Sequence, residues 1–235
     1  MHDDSSRRLA NLSRRRAPFF SLALLILAAL SAQSADPYTE KLQAGDAKSA
    51  AGDRTGAAAD YEAAVADAQT PTQRALALGK KALALVQEQD YAGAREAADS
   101  ALATNASIEP VAEVTALQAL AKCQLHEKNY AGALESMIRA DGLSGVEWAR
   151  PELAMIRGDA ERGSGKFDAA MASYRSILDM PEVSNEFKGV AWLNIGLTEQ
   201  YSLNNGAGAK EAYMNAGDLN PGLKAEAETH LAKIQ

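Results

Sequence analysis

Five alanines recur at nearly constant spacing through most of this chain. Successive members lie 37 or 39 residues apart. They are Ala57, Ala94, Ala133, Ala170 and Ala209. A period of this size is typical of a solenoid of helical hairpins, in which each unit buries its apolar face only by stacking on its neighbours. We therefore predict a repeat array that binds other molecules rather than one that performs chemistry.

The first 34 residues are predicted to be an export signal rather than part of the fold. A basic head that includes Arg14–Arg16 precedes an apolar run of twelve residues, Phe19–Leu30, and small residues follow, with a cleavage site after Ser34. Such a helix rises only about 18 Å, too short for a hydrocarbon core of roughly 30 Å. We expect a cleaved signal peptide, with an uncleaved N-terminal anchor as the alternative, and a periplasmic or secreted protein in either case.

The charge balance argues against polyanionic partners. The formal net charge is −7, and without residues 1–34, which hold five Arg and two Asp, it becomes −10. Phosphate backbones and anionic lipids require clustered Lys and Arg, so we expect no nucleic-acid binding and no membrane contact beyond the signal or anchor. The single cysteine, Cys123, excludes an intramolecular disulfide and is expected to be a small buried helix residue.

The fifth unit carries the clearest repeat signature. Residues 192–196 read Trp-Leu-Asn-Ile-Gly, and Ala209, Tyr213, Ala216 and Pro221 follow. This pattern closely resembles the tetratricopeptide repeat, whose signature combines W-x-x-L-G with Ala, an aromatic residue, Ala and Pro at set offsets. The resemblance implies an all-α, right-handed α-solenoid of about five helix-turn-helix repeats with a C-terminal capping helix.

The other units match this signature more loosely. Units two and three carry the same segment, Tyr-Ala-Gly-Ala, at 91–94 and 130–133. Gly45, Gly158 and Gly196 fall at one slot of the first helix, where a glycine costs about 1 kcal/mol relative to alanine. We expect close approach of the paired helix backbones to offset that cost.

Junctions that contain proline separate the predicted repeats. Proline cannot continue a helix, and it pushes the preceding residue toward extended geometry. The predicted junctions are residues 69–71, 105–110, 142–151 and 181–189. They lengthen the period beyond the usual value of about 34 residues. We assign residues 35–221 to the repeats and residues 222–235 to an amphipathic helix that covers the end of the array.

The sequence predicts no catalytic residues, no cofactor and no metal site. Residues 163–166 (Gly-Ser-Gly-Lys) suggest a phosphate loop, but Ala160 and Phe167 stand where that loop needs Gly and Ser or Thr, so we predict a turn between paired helices. His126 and His230 have no second ligand one helical turn away. We expect them to be solvated histidines on helix faces.

The resemblance also implies where a partner binds. In tetratricopeptide repeats the first helices of successive units line a concave groove that accepts an extended peptide or a helix. Carried over slot by slot, the groove residues form a mixed apolar and charged surface. They are Leu42, Asp46, Lys80, Leu83, Gln118, Lys122, Met155, Asp159, Leu193, Asn194 and Leu197. Only Lys80 and Asn194 fit the clamp with which some family members hold chaperone C termini, so chaperone binding is not predicted.

Three functions remain open at this level. The leading hypothesis is an exported, non-catalytic scaffold that binds a peptide or partner protein on its concave face. The second is a self-associating structural module of the cell envelope, which would form homo-oligomers through apolar ends or junctions. The third is an enzyme that acts on an envelope polymer, which would need two carboxylates at catalytic separation.

Overall fold

The structure, a computed structural model, describes residues 36–103 and 107–234. This part of the chain forms eleven α-helices and two short 3₁₀ helices, Glu147–Ala149 and Pro221–Leu223, without a β-strand. The α-helices are α1 (Pro37–Ala50), α2 (Arg54–Asp67), α3 (Pro71–Gln87), α4 (Tyr91–Leu102), α5 (Pro110–His126), α6 (Tyr130–Asp141), α7 (Arg150–Gly163), α8 (Phe167–Leu178), α9 (Asn185–Tyr201), α10 (Gly206–Leu219) and α11 (Lys224–Leu231). None of them is long and apolar enough to cross a membrane. The predicted export signal, residues 1–34, lies outside the described residues.

Consecutive helices pair into five hairpins, α1/α2 to α9/α10, and each hairpin packs against the next. The five recurring alanines all lie in the second helix of a pair, and each is completely buried. A buried position between packed helices has no room for a longer side chain, so the alanine spacing reports the repeat directly. The predicted all-α solenoid of five helical repeats is confirmed.

All five hairpin turns share one backbone feature. The residue two positions before the second helix has a positive φ, between 54° and 81°. These residues are Gly52, Gln89, Lys128, Gly165 and Asn204. A left-handed residue ends a helix by turning the next N–H groups back onto its last carbonyls. In unit two, for example, the Asp90 N–H donates to the Leu85 carbonyl at 2.9 Å. The segment 163–166 is such a turn, as predicted.

An Asp or Asn side chain caps the second helix in four of the five hairpins. Its oxygen accepts a hydrogen bond of 2.9–3.2 Å from the backbone N–H three residues later. The caps are Asp53, Asp90, Asn129 and Asn205. The donor is always glycine, because an added Cβ would lie only 2.2–2.5 Å from the cap side chain. Unit four has Lys166 and Ala169 at these two positions and lacks the side-chain cap.

Glycine and tyrosine are paired across three of the hairpins. The pairs are Gly45 with Tyr61, Gly158 with Tyr174, and Gly196 with Tyr213. A Cβ added to any of these glycines would lie 2.4–2.6 Å from a ring carbon. The predicted reason for glycine, close approach of the helix backbones, is therefore wrong, since the tyrosine ring fills the space. In units two and three the bulky ring is absent and the glycine becomes Ala82 or Ala121.

Helix α11 covers the end of the array. Ala227 is buried, and Leu223 and Leu231 pack against the cluster that contains Tyr213 of α10. The charged residues of α11, such as Glu226, are exposed. The apolar side of this helix thus faces the repeats and its polar side faces solvent, as expected for a cap.

Candidate binding groove

A groove of about 700 Å³ crosses units two to five. Most of its lining comes from the last turns of α3 and α5, the first residues of α4 and α6, and parts of α7 and α9. We name it the central groove. It is lined by Val86, Tyr91, Lys122, Leu125, His126, Tyr130, Glu152, Met155, Ile156, Asp159, Arg162, Gly163, Leu197, Tyr201 and Ser202. Because four units contribute to it, the groove exists only when the hairpins are stacked.

Aromatic side chains form a large part of this lining. The rings of Tyr91 and His126 stack with centroids 3.7 Å apart and planes 9° from parallel. Tyr130 packs on Gly163 of α7, where an added Cβ would lie 2.2 Å from the ring. Tyr201 is 58% exposed. Flat rings that are held by their neighbours supply apolar contact area at a low entropic cost, so this lining suits an apolar ligand segment.

The charged side chains of the central groove are paired with one another. Lys122 Nζ lies 2.5 Å from a carboxylate oxygen of Glu152. Asp159 accepts a hydrogen bond of 2.7 Å from the Tyr174 hydroxyl and another of 3.2 Å from Arg162. Burial, reinforced by the Asp159 charge, raises the pKa of Tyr174 well above its ordinary value, so this hydroxyl remains a donor. The groove therefore carries two balanced pairs of charges rather than a field of one sign.

A smaller cavity of about 340 Å³ lies between units one and two. Its Asp46 accepts a hydrogen bond of 2.8 Å from the Tyr61 hydroxyl and lies 2.6 Å from Lys80 Nζ. Asp159 makes the same two kinds of contact in unit four. An aspartate that follows the paired glycine thus holds the tyrosine hydroxyl of its own hairpin and a cation.

Seven of the eleven residues predicted to face a groove line one of these cavities. Asp46, Lys80 and Leu83 line the smaller one, and Lys122, Met155, Asp159 and Leu197 line the central groove. The first-helix slots therefore bring seven of the predicted residues to two cavities. Partner binding at these positions stays a prediction.

The other four predicted residues lie outside both cavities. Gln118 and Leu193 are buried, with 4% and 7% exposure. Leu42 is half-buried against the core of units one and two. Asn194 accepts a hydrogen bond of 3.3 Å from Arg162, which joins units four and five. These side chains contribute packing and inter-repeat contacts.

Four ring-bearing residues of the central groove are absent from the predicted set. They are Tyr91, His126, Tyr130 and Tyr201. The copied segments at 91–94 and 130–133 are the signal that could have found two of them, because both tyrosines begin a second helix beside a turn. Of the two histidines predicted to be solvated, His126 is exposed and also stacks on Tyr91, whereas His230 is half-buried and stacks on Tyr213 with centroids 5.2 Å apart.

Metal binding and thiol chemistry are both constrained in the part of the chain that the structure describes. No group of three His, Cys, Asp or Glu side chains there could hold a metal ion. Cys123 is fully buried, as predicted, and burial raises the pKa of its thiol to about 11. A thiol of that pKa is a poor nucleophile near neutral pH.

Comparison with known proteins identifies the fold. No family model and no curated protein matches the sequence. The TPR protein TTC0263 of Thermus thermophilus is 17% identical with a TM-score of 0.65, over 83% of this chain and 99% of that chain. YrrB, described as a TPR protein with an unusual peptide-binding site, is 19% identical with a TM-score of 0.52, over 80% and 90%. A tetratricopeptide repeat protein from Parabacteroides merdae is 19% identical with a TM-score of 0.59, over 88% and 73%. The chain therefore has the fold of the tetratricopeptide repeat proteins.

Proposed function

We propose that this protein is an exported, non-catalytic scaffold that binds a peptide segment of a partner protein in the central groove. The observation that carries the proposal is the composition of that groove. Partly exposed rings, half-buried aliphatic side chains such as Leu125 and Leu197, and mutually paired charges lie together in one cavity. This combination favours a ligand recognised by apolar anchors with a few polar contacts.

The groove also indicates which peptide fits best. Lys122 and Arg162 are each engaged by a carboxylate of the groove, so a strongly acidic or basic ligand would have to displace an existing partner. A peptide with apolar side chains and a near-neutral charge does not meet that cost. The similar fold of YrrB, which is described as having a peptide-binding site, supports a peptide as the ligand class.

Export of the protein is supported by the sequence of residues 1–34, with its basic head and apolar run. Fractionation of the native host followed by mass spectrometry tests this point. We expect an extracytoplasmic protein that begins at Ala35 or, for the anchored alternative, a membrane-bound full chain. Full-length protein in the cytoplasm would contradict export.

Affinity capture with matched variants tests groove binding. Leu197→Glu places a charge in the central groove, whereas Leu203→Glu makes the same change at a position that is 41% exposed outside it. We expect a polypeptide partner to be retained by the wild type and by Leu203→Glu but lost with Leu197→Glu. Equal retention by both variants would contradict the proposal, and so would a saturable small-molecule ligand in place of a polypeptide.

Self-association through the ends of the array has weaker support than peptide binding in the central groove. The exposed residues of α1 include Glu40 and Gln43, and those of α11 include Glu226 and Glu228. Such polar surfaces offer little apolar area for an interface between copies. We expect a monomer in light scattering.

A further inference from the structure

A second large cavity lies where the two longest fully described junctions meet. Residues 142–149 connect α6 to α7 and residues 179–184 connect α8 to α9, whereas only residues 68–70 connect α2 to α3. Insertions in repeat arrays gather on one face, and that face often binds ligands. The cavity measures about 870 Å³ and shares no lining residue with the central groove. We name it the junction cleft.

The junction cleft has an apolar lining. Its apolar residues are Trp148, Pro151, Met180, Pro181, Val183 and Phe187. Trp148 leaves 59% of its surface exposed, the highest exposure among the Trp, Tyr and Phe side chains of the described residues. A large ring left in water beside other apolar side chains marks an interaction site more strongly than an isolated surface residue does.

The chain around Trp148 fixes this exposure. Val146 and Ala149, on either side of it, are 4% and 1% exposed and belong to the core of units three and four. The Ala149 N–H donates to the Val146 carbonyl at 2.9 Å, which closes a single 3₁₀ turn. Turning Trp148 inward would expose both neighbours, so the ring is held ready for an external partner.

The rim of the junction cleft is acidic. Glu147, Asp179 and Glu182 line it as exposed carboxylates. The one basic lining residue is Arg150, which lies 3.8 Å from Glu147. The excess of two negative charges favours a positively charged ligand and disfavours an acidic one.

We propose that the junction cleft is a second docking site, and that its occupant is an apolar peptide segment of a partner protein flanked by Lys or Arg. The apolar part of the segment contacts Trp148, Val183 and Phe187, and the flanking cations face the acidic rim. The junction cleft shares no lining residue with the central groove, where the charges are balanced. An experiment that excludes binding at one site therefore leaves the proposal for the other unaffected.

Fluorescence of Trp148 tests this proposal directly. The chain has two tryptophans, and Trp192→Phe leaves Trp148 as the single reporter. The probe is a short synthetic peptide with a leucine-phenylalanine-leucine core between pairs of lysines, and its counterpart carries glutamates in place of the lysines. We expect the lysine peptide to give a saturable blue shift and protection from acrylamide quenching. The glutamate peptide should bind at least about three-fold more weakly.

Matched substitutions separate the cleft from general attraction to an acidic protein. Glu182→Lys alters the rim, and Glu135→Lys makes the same charge change at an exposed site outside the cleft. Met180→Ser removes apolar lining, and Met214→Ser makes the same change at an exposed site on α10. We expect Glu182→Lys and Met180→Ser each to weaken binding of the lysine peptide by about three-fold or more. The two control variants should bind it as tightly as the Trp192→Phe protein. No saturable shift, equal affinity for both peptides, or equal effects of variant and control would overturn the proposal.

Discussion

Gly158→Ala tests the pairing of glycine with tyrosine that distinguishes three of the repeats. The added Cβ would lie 2.4 Å from a ring carbon of Tyr174. Ordinary contact between carbon atoms needs about 3.5 Å or more. The ring would have to move by about 1 Å, although it is fully buried and its hydroxyl is bonded to Asp159 at 2.7 Å.

Two opposing terms set the size of the effect. Overpacking of a rigid core costs about 1 to 3 kcal/mol, and replacing glycine by alanine inside a helix returns about 1 kcal/mol. Because Tyr174 is held by both packing and a hydrogen bond, we expect the overpacking cost to lie in the upper part of its range of about 1 to 3 kcal/mol. The net loss of unfolding free energy should be about 1 to 2 kcal/mol.

Urea unfolding followed by far-ultraviolet circular dichroism measures this loss. Gly217→Ala is the matched control, because its Cβ would meet nothing closer than 3.6 Å, and it should raise stability by a few tenths to about 1 kcal/mol. Tyr174→Ala should remove the penalty of Gly158→Ala, since the double variant reproduces the pair Ala82 and Ala98 of unit two. If Gly158→Ala stabilised the protein as much as Gly217→Ala, the proposed packing would be wrong.

Three further outcomes follow from the repeat geometry. Ala170→Leu should destabilise the protein by about 1 to 3 kcal/mol in urea unfolding, whereas Ala172→Leu on the exposed side of α8 should be nearly neutral. Equal losses of stability in the two variants would contradict the assignment of Ala170 to the buried face of α8. Asn129→Ala should cost about 1 kcal/mol by removing a helix cap, and Lys166→Ala, at the uncapped equivalent position, should cost much less. Burial keeps Tyr174 protonated in the folded state at a pH where the unfolded chain ionises, so stability should be full below about pH 10 and fall as the pH rises further. Tyr174→Phe should make that alkaline decline shallower, and an unchanged slope would count against the buried, hydrogen-bonded hydroxyl.

The repeat itself could be predicted from the sequence because it depends on local and periodic signals. The buried alanine and the left-handed turn residue recur in every unit, and the side-chain cap recurs in four of the five. A side chain larger than alanine at the anchor would overpack the paired helices. The paired glycines could be located in the same way. The reason for glycine at these positions could not be predicted, because the ring that fills each space comes from another helix about 16 residues later.

The candidate binding surfaces were less predictable for a related reason. A slot number places a residue on a helix face, but it does not say whether the side chain is already bonded to a neighbouring residue or buried by packing. Asp159 is engaged by Tyr174 and Arg162, and Gln118 is buried within the array. The junction cleft could not be predicted from the sequence, because residues 142–149 and 179–184 become neighbours only when units three, four and five stack.

Site-specific photo-crosslinking tests the central claim most directly. Incorporating p-benzoylphenylalanine at Tyr201 places the reactive ring in the central groove. Incorporating it at Met214 on α10 is the matched control, because the Tyr201 and Met214 side chains are similarly exposed, at 58% and 53%. We predict a polypeptide adduct in the native host at Tyr201 and none at Met214. Adducts of equal yield at both positions, or none at Tyr201, would contradict a peptide-binding groove.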